Sequence, residues 1–348
     1  MDIGGLSMKN LQPSLKDWKA LYEVAVEFRK AEPWAWIKET DVFGVQNPKT
    51  GEIGYCCIMG ELGEVLAMAI YEGTEGLQSC LKIQKGQINP GDPDALFMQK
   101  CLMLSFENEK FVEEDDKEII DELGLTFRGR NAWPVFRSYQ PGYFPWFLSR
   151  DEVLYMTPAL RQAMDVCLRI KKDGKILHAP KRNFYLVRAA EEKAGKVFWK
   201  DEWKAPAPVK KKAEVIDEPV NEVRIQKLKK TAKPATAVWE IDFFHTPTPV
   251  MQGERPIFPY AIMLMDHDTG LVLEMHLAGT AAYQREFLDK FLGCIEKTSV
   301  IPLEILVKKE EAAGLFGPYA GRLNIKLSTV KKLNNIEHAR REMDKFMQ

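Results

Sequence analysis

Hydrophobic and polar residues alternate with two different periods along the first two hundred residues. Helical spacing predicts helices over residues 14–30, 74–85, 113–123 and 151–171. Alternation and short apolar runs predict strands over 42–45, 53–59, 65–71, 135–139, 175–178 and 184–189. Ser149 and Glu152 have the spacing of a capping box before the fourth helix. This mixture predicts an α+β domain.

The second half has a simpler order of elements. Strands are predicted over 237–245, 260–265 and 271–277, a helix over 281–297, a strand over 303–307, a helix over 310–316, a strand over 325–327 and a helix over 334–347. Gly317 and Pro318 are predicted to end the second of these helices. The order is therefore three strands, helix, strand, helix, strand, helix.

Between the two halves, residues 204–235 change in composition. This segment begins with alternating Ala and Pro and holds nine basic but only four acidic residues. Such a Pro-rich, charged segment without aromatic residues is typical of a solvated connector. The chain is therefore predicted to consist of a domain over 1–203, a charged linker over 204–235 and a domain over 236–348. Binding of RNA or DNA by the linker is an alternative.

Composition narrows the class of protein. The chain has 348 residues, with 49 Lys and Arg against 50 Asp and Glu, which disfavours a polybasic nucleic-acid or membrane-binding protein. The six cysteines include no C-x-x-C pair, which favours buried thiols in a reducing compartment. We find no signal-peptide pattern and no apolar stretch that would span a bilayer, so we expect a soluble, cytoplasmic protein without a membrane partner.

The second half also contains four short sequence segments that bear on its fold. They are WEIDFF (239–244), DHDTG (266–270), IPLEILV (301–307) and NNIEHAR (334–340). Together with the order of elements, they resemble the ribonuclease-H-like cores of integrases and transposases. The resemblance covers about a third of the chain and implies an α/β domain with a mixed five-stranded sheet flanked by helices. The first two hundred residues resemble an uncharacterised bacterial family with no known activity.

The resemblance implies a divalent-metal nuclease with three carboxylates that converge on Mg²⁺ or Mn²⁺. Asp242 matches the first, in the middle of the first strand, and Glu337 matches the third, on the last helix. The second belongs at the end of the fourth strand, where the sequence reads Lys308-Lys309-Glu310-Glu311. Lysines repel a metal ion, although Glu310 or Glu311 would reach the site if the register slips. The acidic triad is therefore predicted to be degenerate.

Several of these residues have a structural alternative. Asp242 would lie on a solvated strand face if the sheet is open there, and Glu337 would be an ordinary surface residue of a charged helix. Asp266 and Asp268 have the chemistry of turn residues. His245 and His276 would form a metal site with Asp242 if they face one another across strands.

Aromatic residues of the first half offer another candidate site. Trp34, Trp36, Trp146 and Phe147 would line a ligand groove or pack in the core. Nucleotide-binding loops and zinc-protease or serine-hydrolase motifs are absent from the sequence.

We therefore expect a non-catalytic binding or regulatory protein whose partner is an unidentified protein or ligand. Nucleic acid is disfavoured, because residues 236–348 hold 13 basic and 15 acidic residues. No cofactor is expected. The first alternative is a Mg²⁺- or Mn²⁺-dependent nuclease that uses Asp242, Glu310 or Glu311, and Glu337, with Asp242 and Glu337 as metal ligands. The second is a small-molecule enzyme or sensor with its site in the aromatic first half.

Overall fold

The protein is described from a computed structural model that covers residues 12–87, 97–209, 221–279 and 283–347. Contacts between Cα atoms divide the chain into two compact units. Unit 1 comprises the described parts of residues 1–141 and 145–210, and unit 2 those of residues 142–144 and 211–348. No helix in these ranges is long and apolar enough to cross a membrane.

Four α-helices and seven strands of unit 1 lie wholly within its described residues. The helices are α1 (Leu15–Ala31), α2 (Gly73–Gln84), α3 (Glu114–Glu122) and α4 (Arg150–Lys172). The strands are β1 (Phe43–Gln46), β2 (Ile53–Met59), β3 (Ala67–Glu72), β4 (Cys101–Glu107), β5 (Trp133–Tyr139), β6 (Tyr185–Lys193) and β7 (Lys196–Lys204). The predicted capping box at the start of α4 is confirmed, since Ser149 and Glu152 each accept a hydrogen bond from the other's backbone N–H.

The strands of unit 1 form one mixed sheet in the order β5-β4-β3-β2-β1-β6-β7. All neighbouring strands are antiparallel except β1 and β6, which run parallel. The apolar residues of α1 and α4 pack with one face of the sheet in a core that contains Phe28, Phe43 and Leu160. Residues of α2, such as Leu77, pack with a separate cluster around Tyr55. Helices thus pack against both faces of this sheet.

Unit 2 contains four helices and nine strands among its described residues. The helices are α5 (Glu222–Thr231), α6 (Tyr283–Thr298), α7 (Glu310–Leu323) and α8 (Asn334–Met347). The strands are β8 (Lys233–Pro234), β9 (Val238–His245), β10 (Val250–Gln252), β11 (Arg255–Ile257), β12 (Tyr260–Asp266), β13 (Val272–Ala278), β14 (Val300–Ile301), β15 (Glu304–Val307) and β16 (Lys326–Thr329).

Five of these strands form the main sheet of unit 2, in the order β13-β12-β9-β15-β16. β12 is antiparallel to both of its neighbours, β9 and β13, while β15 runs parallel to β9 and β16 runs parallel to β15. These strands form a mixed five-stranded sheet, as the resemblance implies. Ile241 and Phe243 of β9 belong to the core formed with α5, α6 and α7, and Phe244 packs on the opposite face with Ile336 of α8.

Several local predictions were wrong or incomplete. Residues 175–177 form a turn in place of the predicted strand, and the backbone N–H of His178 donates to the carbonyl oxygen of Lys175. Helix α7 continues past Gly317 and Pro318 to Leu323, and Arg322 donates a hydrogen bond to the carbonyl oxygen of Pro318. The strands β4 and β7 and the short strands β8, β10, β11 and β14 were not predicted at all.

The predicted solvated linker is also only partly a connector. Helix α5 lies inside it, and the side chains of Ile225 and Leu228 are buried in the core of unit 2. They are spaced three residues apart and share one face of a helix whose other residues are mostly charged, so the basic composition hid an amphipathic pattern. The boundaries of the two domains remain a prediction.

Candidate functional site

Asp242 lies in the middle of β9 on the face covered by α8. Only 4% of the residue is exposed, because Asp242 alternates with Glu240 and Phe244 on the face that Ile336 and its neighbours cover. Its Oδ1 atom is buried and has no hydrogen-bond partner within the described residues. Burial raises the pKa of this carboxyl above its ordinary value, an effect that Lys309, Arg340 and Lys308 partly oppose. The predicted solvated face is thus a covered one.

Two lysines lie where the resemblance places a second carboxylate. Lys308 and Lys309 follow β15, which runs beside β9, so both reach the neighbourhood of Asp242. The Nζ atom of Lys309 lies 4.0 Å from Oδ1 of Asp242 and donates a hydrogen bond of 2.6 Å to the carbonyl oxygen of Phe243. The site therefore has a cation where a metal ligand was expected.

The third predicted carboxylate is paired with the other lysine. The Nζ atom of Lys308 lies 3.0 Å from Oε1 of Glu337. This hydrogen bond from Lys308 lowers the pKa of the Glu337 carboxyl below its ordinary value. Glu337 is thus a half-buried partner of a lysine, at the edge of the same face as Asp242.

Glu310 and Glu311 occupy the first turn of α7 and are exposed. Glu311 accepts a hydrogen bond from the hydroxyl of Tyr283. The described residues contain no group of three or more His, Cys, Asp or Glu side chains arranged to hold a metal ion. With lysines beside both Asp242 and Glu337, the side chains in this arrangement do not fit a two-metal centre.

Glu240 shares the strand face of Asp242, as alternation along the predicted strand indicates, but the sequence analysis gave it no role in the site. It is fully buried, yet all of its partners are polar. Oε1 lies 2.7 Å from Nδ1 of His267 and accepts a hydrogen bond from Nδ2 of Asn335, and Oε2 accepts one from the backbone N–H of Ile336. Its position two residues before Asp242 on the same strand was the available signal.

His245 and His276 do not join Asp242. His245 and Asp242 are an odd number of residues apart on β9, so their side chains point to opposite faces of the sheet. Nδ1 of His245 lies 3.0 Å from the carbonyl oxygen of Phe258, while Nε2 of His276 lies 2.7 Å from Oε2 of Glu286. The two histidines therefore have separate partners.

Asp266 has the predicted role of a turn residue. Its Oδ1 atom accepts hydrogen bonds from the backbone N–H and the hydroxyl of Thr269, at 2.9 Å and 2.8 Å. Asp268 lies exposed in the same turn. These contacts fix the hairpin between β12 and β13.

Of the four aromatic residues predicted to line a groove in unit 1, one is buried in the core and three are half-buried. Trp34 is buried and packs against Phe28 and Phe106, while the indole N–H of Trp36 donates to the carbonyl oxygen of Cys167. Trp146 and Phe147 pack edge to face and are half-buried. Two open pockets of unit 1, of about 380 and 460 Å³, have none of the four predicted groove residues in their walls.

Comparison with family models divides the chain much as the fold does. Residues 18–188 match a family described as "Domain of unknown function (DUF7309)", and residues 224–344 match one described as "Domain of unknown function (DUF6930)". The first two hundred residues thus resemble a family without an assigned activity, as the sequence suggested. No curated protein matches the chain.

Among solved structures, the chain is similar to the integrase catalytic core domain of HTLV-2, determined in complex with magnesium in dimeric and trimeric forms. The identities are 19% and 18%, and both TM-scores are 0.23. The matches cover 30% and 31% of this chain but 64% and 66% of the integrase chains, so the chain spans less than two thirds of their length. This likeness is too distant to assign a function.

Proposed function

We propose that residues 224–344 form a ribonuclease-H-like module that acts by binding and does not hydrolyse phosphodiesters. The order and directions of the five strands support the assignment of the fold, since three antiparallel strands are followed by two parallel ones. Helices cover both faces of this sheet. The proposal depends on the residues at the end of β15.

The pairing of Lys308 with Glu337 is the main support for the proposed loss of catalysis. Two-metal hydrolysis needs carboxylates that are free to coordinate cations. Here Lys308 neutralises Glu337, and Lys309 approaches Asp242 to 4.0 Å. A metal ion at this position would have to displace one ammonium group and lie beside the other, which Coulomb repulsion opposes.

Titration calorimetry of the full chain with Mn²⁺ tests this proposal. We expect no binding to the wild-type protein, because the lysines occupy the metal position. The double variant Lys308→Asp with Lys309→Ala supplies a carboxylate at the end of β15, removes the second ammonium group and should gain Mn²⁺ binding. Lys326→Asp with Lys309→Ala is the matched control, since Lys326 is an exposed lysine on the neighbouring strand that pairs with Glu304. Failure of the first double variant to bind would contradict the ribonuclease-H-like arrangement.

One observation favours a second candidate, the metal-dependent nuclease. A buried carboxylate oxygen normally accepts a hydrogen bond, and Oδ1 of Asp242 accepts none within the described residues. Under this alternative, Asp242, Glu310 or Glu311, and Glu337 would move to coordinate Mg²⁺ or Mn²⁺. Stoichiometric Mn²⁺ binding by the wild-type protein, abolished by Asp242→Ala or Glu337→Ala and accompanied by cleavage of single- or double-stranded substrates, would establish the nuclease and reject our proposal.

The binding function would involve the other unit as well. In this proposal residues 1–203 supply the surface that recognises a protein or ligand partner. Residues 236–348 carry more acidic than basic side chains, which disfavours a nucleic-acid partner. Titration of a labelled oligonucleotide at low salt should therefore show no binding. Binding that weakens steeply with added salt would contradict this part of the proposal.

A further inference from the structure

The strand β13 forms one edge of the main sheet of unit 2. Within the described residues it pairs only with β12, so one side of its backbone offers unpaired N–H and C=O groups. Such edges are templates for pairing with another strand, and proteins usually protect them with charges, prolines or short length. β13 is seven residues long and contains no proline.

The side chains of this edge are unusually apolar for an exposed strand. Val272, Met275 and Leu277 are exposed by 45%, 37% and 49%, and Leu271, just before the strand, by 63%. A row of exposed apolar side chains beside unpaired backbone groups is typical of an interaction surface. An irregularity of the β12–β13 pairing lies near the start of the strand and leaves its second half regular.

We propose that two copies of this chain associate by antiparallel pairing of β13 with β13 of the second copy. Met275 is the middle residue of the seven in β13. A two-fold axis at Met275 therefore superposes the full length of both strands, with the irregular start of each strand opposite the regular end of the other. It also places Met275 opposite its own counterpart, with apolar contact across the axis.

Charge complementarity supports this register. With the axis at Met275, Glu274 of each copy lies opposite His276 of the other. Glu274 has no side-chain hydrogen bond or ion pair within the described part of the chain, and His276 uses Nε2 for Glu286, so Nδ1 of His276 in the second copy would supply the partner of Glu274. Moving the axis by one residue would place Glu274 or His276 opposite its own counterpart, which loses these pairs.

Sedimentation equilibrium of the full chain tests the association. We expect a dimer at high protein concentration. Met275→Lys places two like charges opposite each other at the axis and should yield a monomer with an unchanged circular dichroism spectrum. Met251→Lys is the control, because Met251 is exposed on β10, outside the edge, and the variant should remain dimeric. A wild-type monomer at every concentration, or a Met275→Lys dimer, would overturn the proposal.

Disulfide cross-linking tests the register without relying on a destabilising charge. Met275→Cys should form a covalent dimer under mild oxidation, because cross-strand Cβ atoms lie about 4.5–5.5 Å apart. Leu277→Cys should not, since residue 277 of one copy would lie about 13 Å from residue 277 of the other at roughly 3.3 Å per residue. The six native cysteines are buried. Equal cross-linking of both variants would overturn the proposal.

Discussion

Glu240 of β9 fastens the start of helix α8 to the sheet through the backbone N–H of Ile336, which donates to its Oε2 atom at 3.2 Å. The first N–H groups of a helix have no partner within the helix, and the helix dipole favours a negative charge there. His267 and Asn335 satisfy the other oxygen. A fully buried carboxylate is thus used to position the helix that covers Asp242.

Glu240→Ala should detach this end of α8. The substitution leaves the N–H of Ile336 and the side chain of His267 without their acceptor, while Asn335 keeps its hydrogen bond to the carbonyl oxygen of His267, and we expect the free energy of unfolding to fall by about 1–3 kcal/mol. Hydrogen exchange measured by mass spectrometry should show faster exchange in α8. Glu342→Ala, which removes an exposed glutamate of the same helix, is the control and should leave exchange unchanged.

The buried Asp242 should make stability depend on pH. Because burial raises its folded pKa above the ordinary 3.8, the folded state binds this proton more tightly than the unfolded chain does. The free energy of unfolding should therefore fall as the pH rises from below 3.8 through the folded pKa, and this contribution should be constant above it.

Asp242→Asn removes that titration. The melting temperature of the variant relative to wild type should be highest at neutral pH and should decline as the pH falls below the folded pKa of Asp242. Thermal unfolding of both proteins across the acidic range measures the difference. Asp242→Val lacks the amide and should give the same trend, and a difference independent of pH would show that Asp242 ionises as readily in the folded protein as in the unfolded one.

The sequence predicted those elements whose apolar pattern was long or regular. β2 and α8 have the predicted bounds, since the first is a continuous apolar run and the second repeats its apolar residues at helical spacing. β7 lies at an edge of its sheet and holds five charged residues and three aromatic ones without strict alternation, so no strand pattern marked it in the sequence. Gly317 and Pro318 suggested a helix end, but α7 tolerates the proline on its exposed face.

For the candidate site, the sequence indicated the neighbours but not the burial. Alternation placed Asp242, Glu240 and Phe244 on one face of β9, and only packing decided that α8 covers it. The same alternation separates His245 from Asp242, since these residues are three apart. The pairing of Lys308 with Glu337 depends on side-chain reach between β15 and α8, which no local pattern contains.

The Lys308–Glu337 ion pair should make a small contribution that depends on pH. Both side chains are partly exposed, so a double-mutant cycle with Lys308→Ala and Glu337→Ala should give a coupling of about 0.2–1 kcal/mol at low salt. Lys308 lowers the pKa of Glu337, so the contribution is present above the ordinary 4.5 and is lost as the pH falls through the folded pKa.

The cycle should be repeated in acid and at high salt. The coupling should disappear once Glu337 is protonated and should decrease with added salt, because counter-ions screen exposed charges. A coupling that persists at a pH well below 4.5 would mean that the two side chains interact through packing rather than charge.

Substitution of Gly314 tests whether the exposed side of helix α7 is free of packing contacts. It lies exposed in the helix interior, and a Cβ atom built there has no neighbour within 4 Å. Gly314→Ala should raise the free energy of unfolding by about 0.5–1 kcal/mol, because alanine loses less conformational entropy on folding. The control is Gly44→Ala on β1. Its Cβ atom would lie 2.7 Å from Cγ2 of Ile53, which is a steric clash, so this variant should be less stable than the wild type. If Gly314→Ala also destabilised, helix α7 would have to be packed against a surface that covers its exposed side, as a bound partner would.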